Sequence, residues 1–196
     1  MWGRDATMLN AVAALSNGTA YMIDQGDYFL VPSTGGSYSY QQSTTGIAAD
    51  DAGVYWMEGT NLVKQFPLAS FGKGTPGILS SGPTTAEGIA AYGSFVYFTT
   101  VDTIYRVPNT PGIEAAKALV SGQVNVGGIA VDASGIYWTN RAGGPAGLGS
   151  IMRAPLTGGT AAPLASGQDD PHGIALDATT VYWTNTAGGQ VMKVAK

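Results

Sequence analysis

A five-residue phrase recurs along this chain at near-constant spacing, and it restricts the fold more tightly than any other feature. It reads Gly46-Ile-Ala-Ala-Asp50, Gly88-Ile-Ala-Ala-Tyr92, Gly128-Ile-Ala-Val-Asp132 and Gly173-Ile-Ala-Leu-Asp177, at intervals of 42, 40 and 45 residues. An aromatic, β-branched run follows each phrase: Val54-Tyr55-Trp56, Val96-Tyr97-Phe98, Ile136-Tyr137-Trp138 and Val181-Tyr182-Trp183. A weaker copy opens the chain with Val12-Ala13-Ala14 and Ala20-Tyr21-Met22, which makes five copies.

Each copy holds strand-like runs in the same order. The small-apolar Gly-Ile-Ala run shows little alternation, as expected of a strand buried on both faces. A turn leads to the aromatic run, whose residue types favour a pleated surface. The third run ends at proline, as in Leu62–Phe66 before Pro67, Ile104–Val107 before Pro108 and Ile151–Ala154 before Pro155. Proline is tolerated there because no later ladder donor is lost. The fourth run (Ile78-Leu79, Ala118–Val120 or Pro163-Leu164) leads into Ser-Gly. Four strands every ~40 residues are the mark of a propeller blade. The expectation is therefore an all-β, five-bladed β-propeller of four-stranded antiparallel blades. Their expected bounds are 11–45, 46–87, 88–127, 128–172, and 173–196 together with 1–10. The fifth copy contains only three runs, so residues 1–10 are expected to supply its outer strand and close the ring.

The segments GIAVDASGIYWTN at Gly128–Asn140 and GIALDATTVYWTN at Gly173–Asn185 resemble the YWTD repeat of LDL-receptor-type propellers, and more loosely NHL-type repeats. The resemblance runs through nearly the whole chain. Asn140 and Asn185 stand where that family has Asp, and copies one to three read YMID, YWME and YFTT there. The receptor propellers have six blades, against five repeats here. The resemblance implies a hydrogen-bonding role between blades for Asn140 and Asn185, and no particular partner.

Composition removes several functional classes. The chain has no Cys and one His, which excludes disulfide scaffolds, thiol nucleophiles and multi-histidine metal centres. A net charge of −4 leaves no basic footprint for nucleic acid. The longest early apolar run, Ala11 to Leu15, falls far below the ~18 residues of a membrane span, so no membrane insertion is expected. Sparse charge and abundant Gly, Ser and Thr lean towards an exported, extracellular scaffold.

Candidate site residues gather where the second strands end and the inner strands begin. Asp24, Glu58, Asp102, Asn140 and Asn185 are read as second-strand ends pointing to one mouth of the channel. Asp170 and His172 are read in the loop entering an inner strand at the same mouth. Arg141 stands at the base of a Gly-rich loop (Gly143–Gly149) read as a flap. A His beside carboxylates is a possible general base, and a ring of oxygen donors suits a hard cation. No nucleophile elbow, dense metal motif or phosphate-loop Lys-Ser/Thr accompanies them. The aromatic pairs read as packing between blades rather than as sugar platforms.

The function expected is a non-enzymatic binding or protein-interaction module, with no cofactor, metal or catalytic residue assigned. Its ligand would be a small molecule, glycan or protein, and the chain a monomer or homodimer. The alternatives are a small hydrolase or lyase using carboxylates and His172, and a structural protomer of a larger ring.

Overall fold

The computed structural model describes the backbone of residues 9–14, 20–24, 27–31, 39–41, 44–58, 62–67, 75–81, 87–141 and 148–196. Side chains are described at 13, 46–58, 63–67, 75–81, 87–141 and 148–196. Nineteen strands among these residues form antiparallel sheets in chain order. The first sheet holds β1 (Leu9–Ala14), β2 (Ala20–Asp24), β3 (Asp27–Val31) and β4 (Ser39–Gln41). The second holds β5 (Thr44–Ala49), β6 (Gly53–Glu58), β7 (Leu62–Pro67) and β8 (Gly77–Ser81). The third comprises β9 (Ile89–Tyr92), β10 (Phe95–Thr99), β11 (Ile104–Pro108) and β12 (Lys117–Val120). The fourth comprises β13 (Val126–Asp132), β14 (Gly135–Asn140), β15 (Gly149–Ala154) and β16 (Ala162–Gln168). The last has three strands: β17 (Pro171–Leu176), β18 (Thr180–Asn185) and β19 (Gln190–Ala195). This is an all-β propeller arrangement of meandering sheets.

Among the described side chains, the second strands of the second, third and fourth sheets are the buried ones, since alternate side chains face the sheets on either side. Tyr55, Trp56, Tyr97, Phe98, Tyr137, Trp138 and Trp183 are all buried. One face of a sheet packs into the core of the next. Tyr55, Met57 and Val63 meet Val96 and Phe98; Ile104 meets Ile136 and Trp138; Tyr137 and Ile151 meet Val181 and Trp183. The inner strands follow one another as β1, β5, β9, β13 and β17, each packed on its neighbour. Glycine is required at these joints: a Cβ on Gly88 would stand 2.9 Å from the Gly127 carbonyl oxygen, and one on Gly128 2.6 Å from that of His172. Thr99 and Thr139 stitch the same joints, their hydroxyls donating to the Gly127 oxygen at 3.3 Å and the His172 oxygen at 3.0 Å.

The hydroxyls of buried Tyr55 and half-exposed Tyr182 are satisfied by side chains rather than by the backbone. Tyr55 donates to Asp50 at 2.8 Å and Tyr182 to Asp177 at 2.7 Å, each carboxylate also organising the turn before the aromatic strand. Burial, and then the Asp50 carboxylate, push the Tyr55 phenol far above its ordinary range.

Several expectations require correction. The Gly-Ile-Ala run is buried in β5, at Gly46, Ile47 and Ala48, but partly exposed in β9, β13 and β17, so burial on both faces does not hold for every copy. Inner strands also start earlier than the expected bounds, at Thr44, Val126 and Pro171, because a register shift precedes the Ile of each phrase. The fifth sheet has three strands, so four sheets rather than five are four-stranded. Leu9 and Asn10 belong to β1, paired with β2, and not to an outer strand of the last sheet. Residues 1–8, and residues 143–147 of the expected flap, lie outside the described residues. Among the described residues, no packing of the extent seen between successive sheets joins β17 or β18 to β1.

Candidate functional site at the joint of the fourth and fifth sheets

Asn140 and Asn185 end β14 and β18 and share one arrangement. Asn140 Nδ2 and Trp138 Nε1 both donate to Gln123 Oε1, each at 3.2 Å. Asn185 Nδ2 and Trp183 Nε1 donate to Gln168 Oε1 at 3.2 and 3.0 Å. Each Gln belongs to the tail of the preceding sheet and donates back to its own chain, to the Ser121 or Ser166 oxygen. A side-chain carbonyl thus ties two donors of the next sheet across the joint. These amides act between sheets, in the role that the repeat resemblance implied. The two glutamines were missed by sequence reasoning, although a signal exists. Gln41, Gln123 and Gln168 each stand 15 residues before Trp56, Trp138 and Trp183, and Pro83 takes that place where Phe98 replaces the Trp.

Arg141 follows Asn140 and lies over Gly127, where a Cβ would come within 3.1 Å of its stem. Its Nε reaches Asp170 Oδ1 of the next sheet at 3.3 Å. The other Asp170 oxygen accepts the Thr186 hydroxyl, and the Asp170 carbonyl accepts the Thr186 N–H at 3.1 Å. Asp170 has φ +51°, a left-handed conformation that Asp tolerates better than most residues. Asn125 occupies the same place before β13, with φ +49°, and its carbonyl accepts the Arg141 N–H at 3.0 Å. The Thr186 hydroxyl, then the Arg141 guanidinium, hold the Asp170 carboxyl below the usual carboxylate range.

His172 lies inside β17 rather than in a loop, because the strand begins at Pro171, opposite Asn185. Its carbonyl takes the Thr139 hydroxyl while its side chain is exposed. Arg141, Asp170 and His172 are therefore brought together; the other expected residues are not. Glu58 pairs with Lys64 at 3.1 Å within its own sheet. Asp102 lies two residues beyond the register position of Asn140, which Thr100 occupies, and accepts the Thr100 and Thr103 hydroxyls in a turn. Asp24 closes β2, with its side chain outside the described residues.

An ionised carboxylate in an ion pair is poorly placed to deliver a proton. Among the described residues, no group of three or more His, Asp or Glu side chains is placed to hold a metal ion. What the cluster offers is a part-exposed guanidinium–carboxylate pair beside an imidazole, a polar surface suited to recognition.

No family model matches the chain, and no curated protein sequence is similar to it. Solved structures do match. A nidogen/laminin complex shares 15% identity over 95% of this chain and 75% of that chain, with a TM-score of 0.75. A putative TolB from Agrobacterium tumefaciens matches at 14% identity over 95% and 80%, with a TM-score of 0.69. BamB from Moraxella catarrhalis matches at 11% over 95% and 58%, with a TM-score of 0.67. At these identities the likeness concerns architecture alone, and with the sheet order above it establishes a β-propeller fold.

Proposed function

We propose that this chain is a non-enzymatic interaction propeller of YWTD-like repeats, which binds a protein partner at the end carrying Arg141, Asp170 and His172. The observation that carries this reading is the Arg141–Asp170 pair, which spans two sheets, stays about a third exposed and adjoins an exposed imidazole. Arg141 and Asp170 directly flank the ends of β14 and β17 and hold each other by an ion pair, so little side-chain freedom is lost on binding. The nidogen structure is one of a complex with laminin, a protein bound by a chain of similar architecture.

The test compares wild-type chain with Arg141→Glu and His172→Ala in binding to peptide and glycan arrays and in affinity capture from the source organism. Loss of the same protein ligands in both variants, with near-ultraviolet circular dichroism unchanged, is the expected result. Equal binding by all three chains would remove this site. Turnover of any substrate abolished by His172→Ala would favour the hydrolase reading instead.

A further inference from the structure

The last sheet displays, uncovered, the surface that every preceding described joint buries. The register pairs Met57 with Val63, Thr99 with Ile104, Thr139 with Ile151 and Thr184 with Val191, so these are equivalent places. Val63, Ile104 and Ile151 are 3%, 0% and 0% exposed, whereas Val191 is 76% exposed. Thr99 and Thr139 are buried and donate across a joint, while Thr184 is exposed and serves only the Gly173 N–H of its own sheet, at 3.0 Å. A Cβ on Gly88 or Gly128 would strike the following sheet, but one on Gly173 would meet only Thr184, at 3.3 Å. Three features of a joint are present here without the sheet that would complete it.

We propose that this face of β17–β19 receives the first sheet of a second copy of the chain, giving head-to-tail association. The occupant follows from continuity with the existing joints. Each joint takes an inner strand with a branched apolar residue at the Ile place of the phrase, as Ile89, Ile129 and Ile174 supply. Among the described inner strands, β1 alone follows no sheet, and its Val12 holds that register place, opposite Met22 as Ile47 is opposite Trp56. Among the described residues, no packing of the extent seen at the other joints brings β1 onto β17 or β18 of the same chain. Lys193 on the same face is no obstacle, because the equivalent place holds Arg106 in a filled joint. There its Nη1 donates to the Leu156 oxygen at 3.1 Å. A contact between two different faces makes a ring when its rotation closes and an open series when it does not.

Sedimentation velocity across a dilution series is the test. Wild-type chain is expected to show species of at least twice the 20.0 kDa chain mass, favoured at high concentration. Thr184→Lys blocks one face and Val12→Lys the other. Thr184→Lys is expected to raise the association Kd at least about 100-fold, the loss that an unpaired buried charge carries. Mixing the two singly blocked chains is expected to restore a species limited to two chains, since each contributes one intact face. Should Val12→Lys fail to fold, Thr184→Lys added in small proportion to wild type is expected to shorten its assemblies as a cap. A wild-type chain that is monomeric at every concentration overturns the proposal. So does association indifferent to Thr184→Lys, or a monomer that Thr184→Lys destabilises to urea, which would place the completing sheet in the same chain.

Discussion

Replacing Gln123 by Ala removes the acceptor on which Trp138 Nε1 and Asn140 Nδ2 converge, each at 3.2 Å. Trp138 is fully buried, and alanine at position 123 offers its indole N–H no acceptor. A net hydrogen bond contributes about 1 kcal/mol, and a stranded buried donor costs about 1–3 kcal/mol. The expected loss is therefore about 2–4 kcal/mol, or roughly 5–15 °C in Tm for a chain of this size. Urea unfolding at neutral pH, followed by tryptophan fluorescence and circular dichroism, measures it. The diagnostic partner is Gln123→Ala combined with Trp138→Phe, which removes donor and acceptor together. The chain contains this combination naturally, with Phe98 in place of Trp and Pro83 in place of Gln. The double variant is expected to cost less than the sum of the two single ones by about 1 kcal/mol or more. Strict additivity, or a Gln123→Ala loss below about 0.5 kcal/mol, would show that this amide does not hold the sheets together.

Gly128→Ala is expected to destabilise by about 1–3 kcal/mol, because its Cβ would lie 2.6 Å from the His172 oxygen and the sheets must part to admit it. Gly173→Ala meets only Thr184 and should leave urea stability of the single chain nearly unchanged, so equal losses would refute the joint geometry. Acid should unfold the chain through its turn and joint carboxylates. The Thr179 N–H, then the Tyr182 hydroxyl, pull the Asp177 carboxyl down to about 2. Asp170 is likewise lowered, while at Asp132 burial opposes the shift and Lys196 with Ser134 outweighs it. These folded-state values lie below the unfolded ones, so the unfolded chain binds more protons in acid. Their contribution is complete above the usual carboxylate value of about 3.9 and fades as pH falls towards about 2. Asp177→Asn should flatten that part of a stability-against-pH curve; an unaltered slope would contradict the assignment.

The strands were legible because alternation and residue type are local properties. An aromatic, β-branched run such as Ile136-Tyr137-Trp138 suits only a pleated strand packed on both sides, and Pro155 marks the end of its neighbour. The phrase Gly-Ile-Ala matched its expected burial at Gly46–Ala48 but not at Gly173–Ala175, since small residues suit a crowded core and a part-open edge equally. Gln123 and Gln168 escaped notice because a lone polar residue after Ser-Gly looks like solvent-exposed turn chemistry. Arg141 and Asp170 were each expected at the channel mouth, but their pairing across 29 residues depends on which sheet follows which.

Repeat length, strand order and the place of every joint glycine belong to the sequence, because each is set by neighbours within one repeat. The number of strands completing the last sheet, and whether a joint is filled, belong to the tertiary structure. Ile151 and Val191 are the same kind of residue at the same register place. One is buried and the other exposed because a sheet packs over the first and, among the described residues, none over the second, which no local pattern encodes.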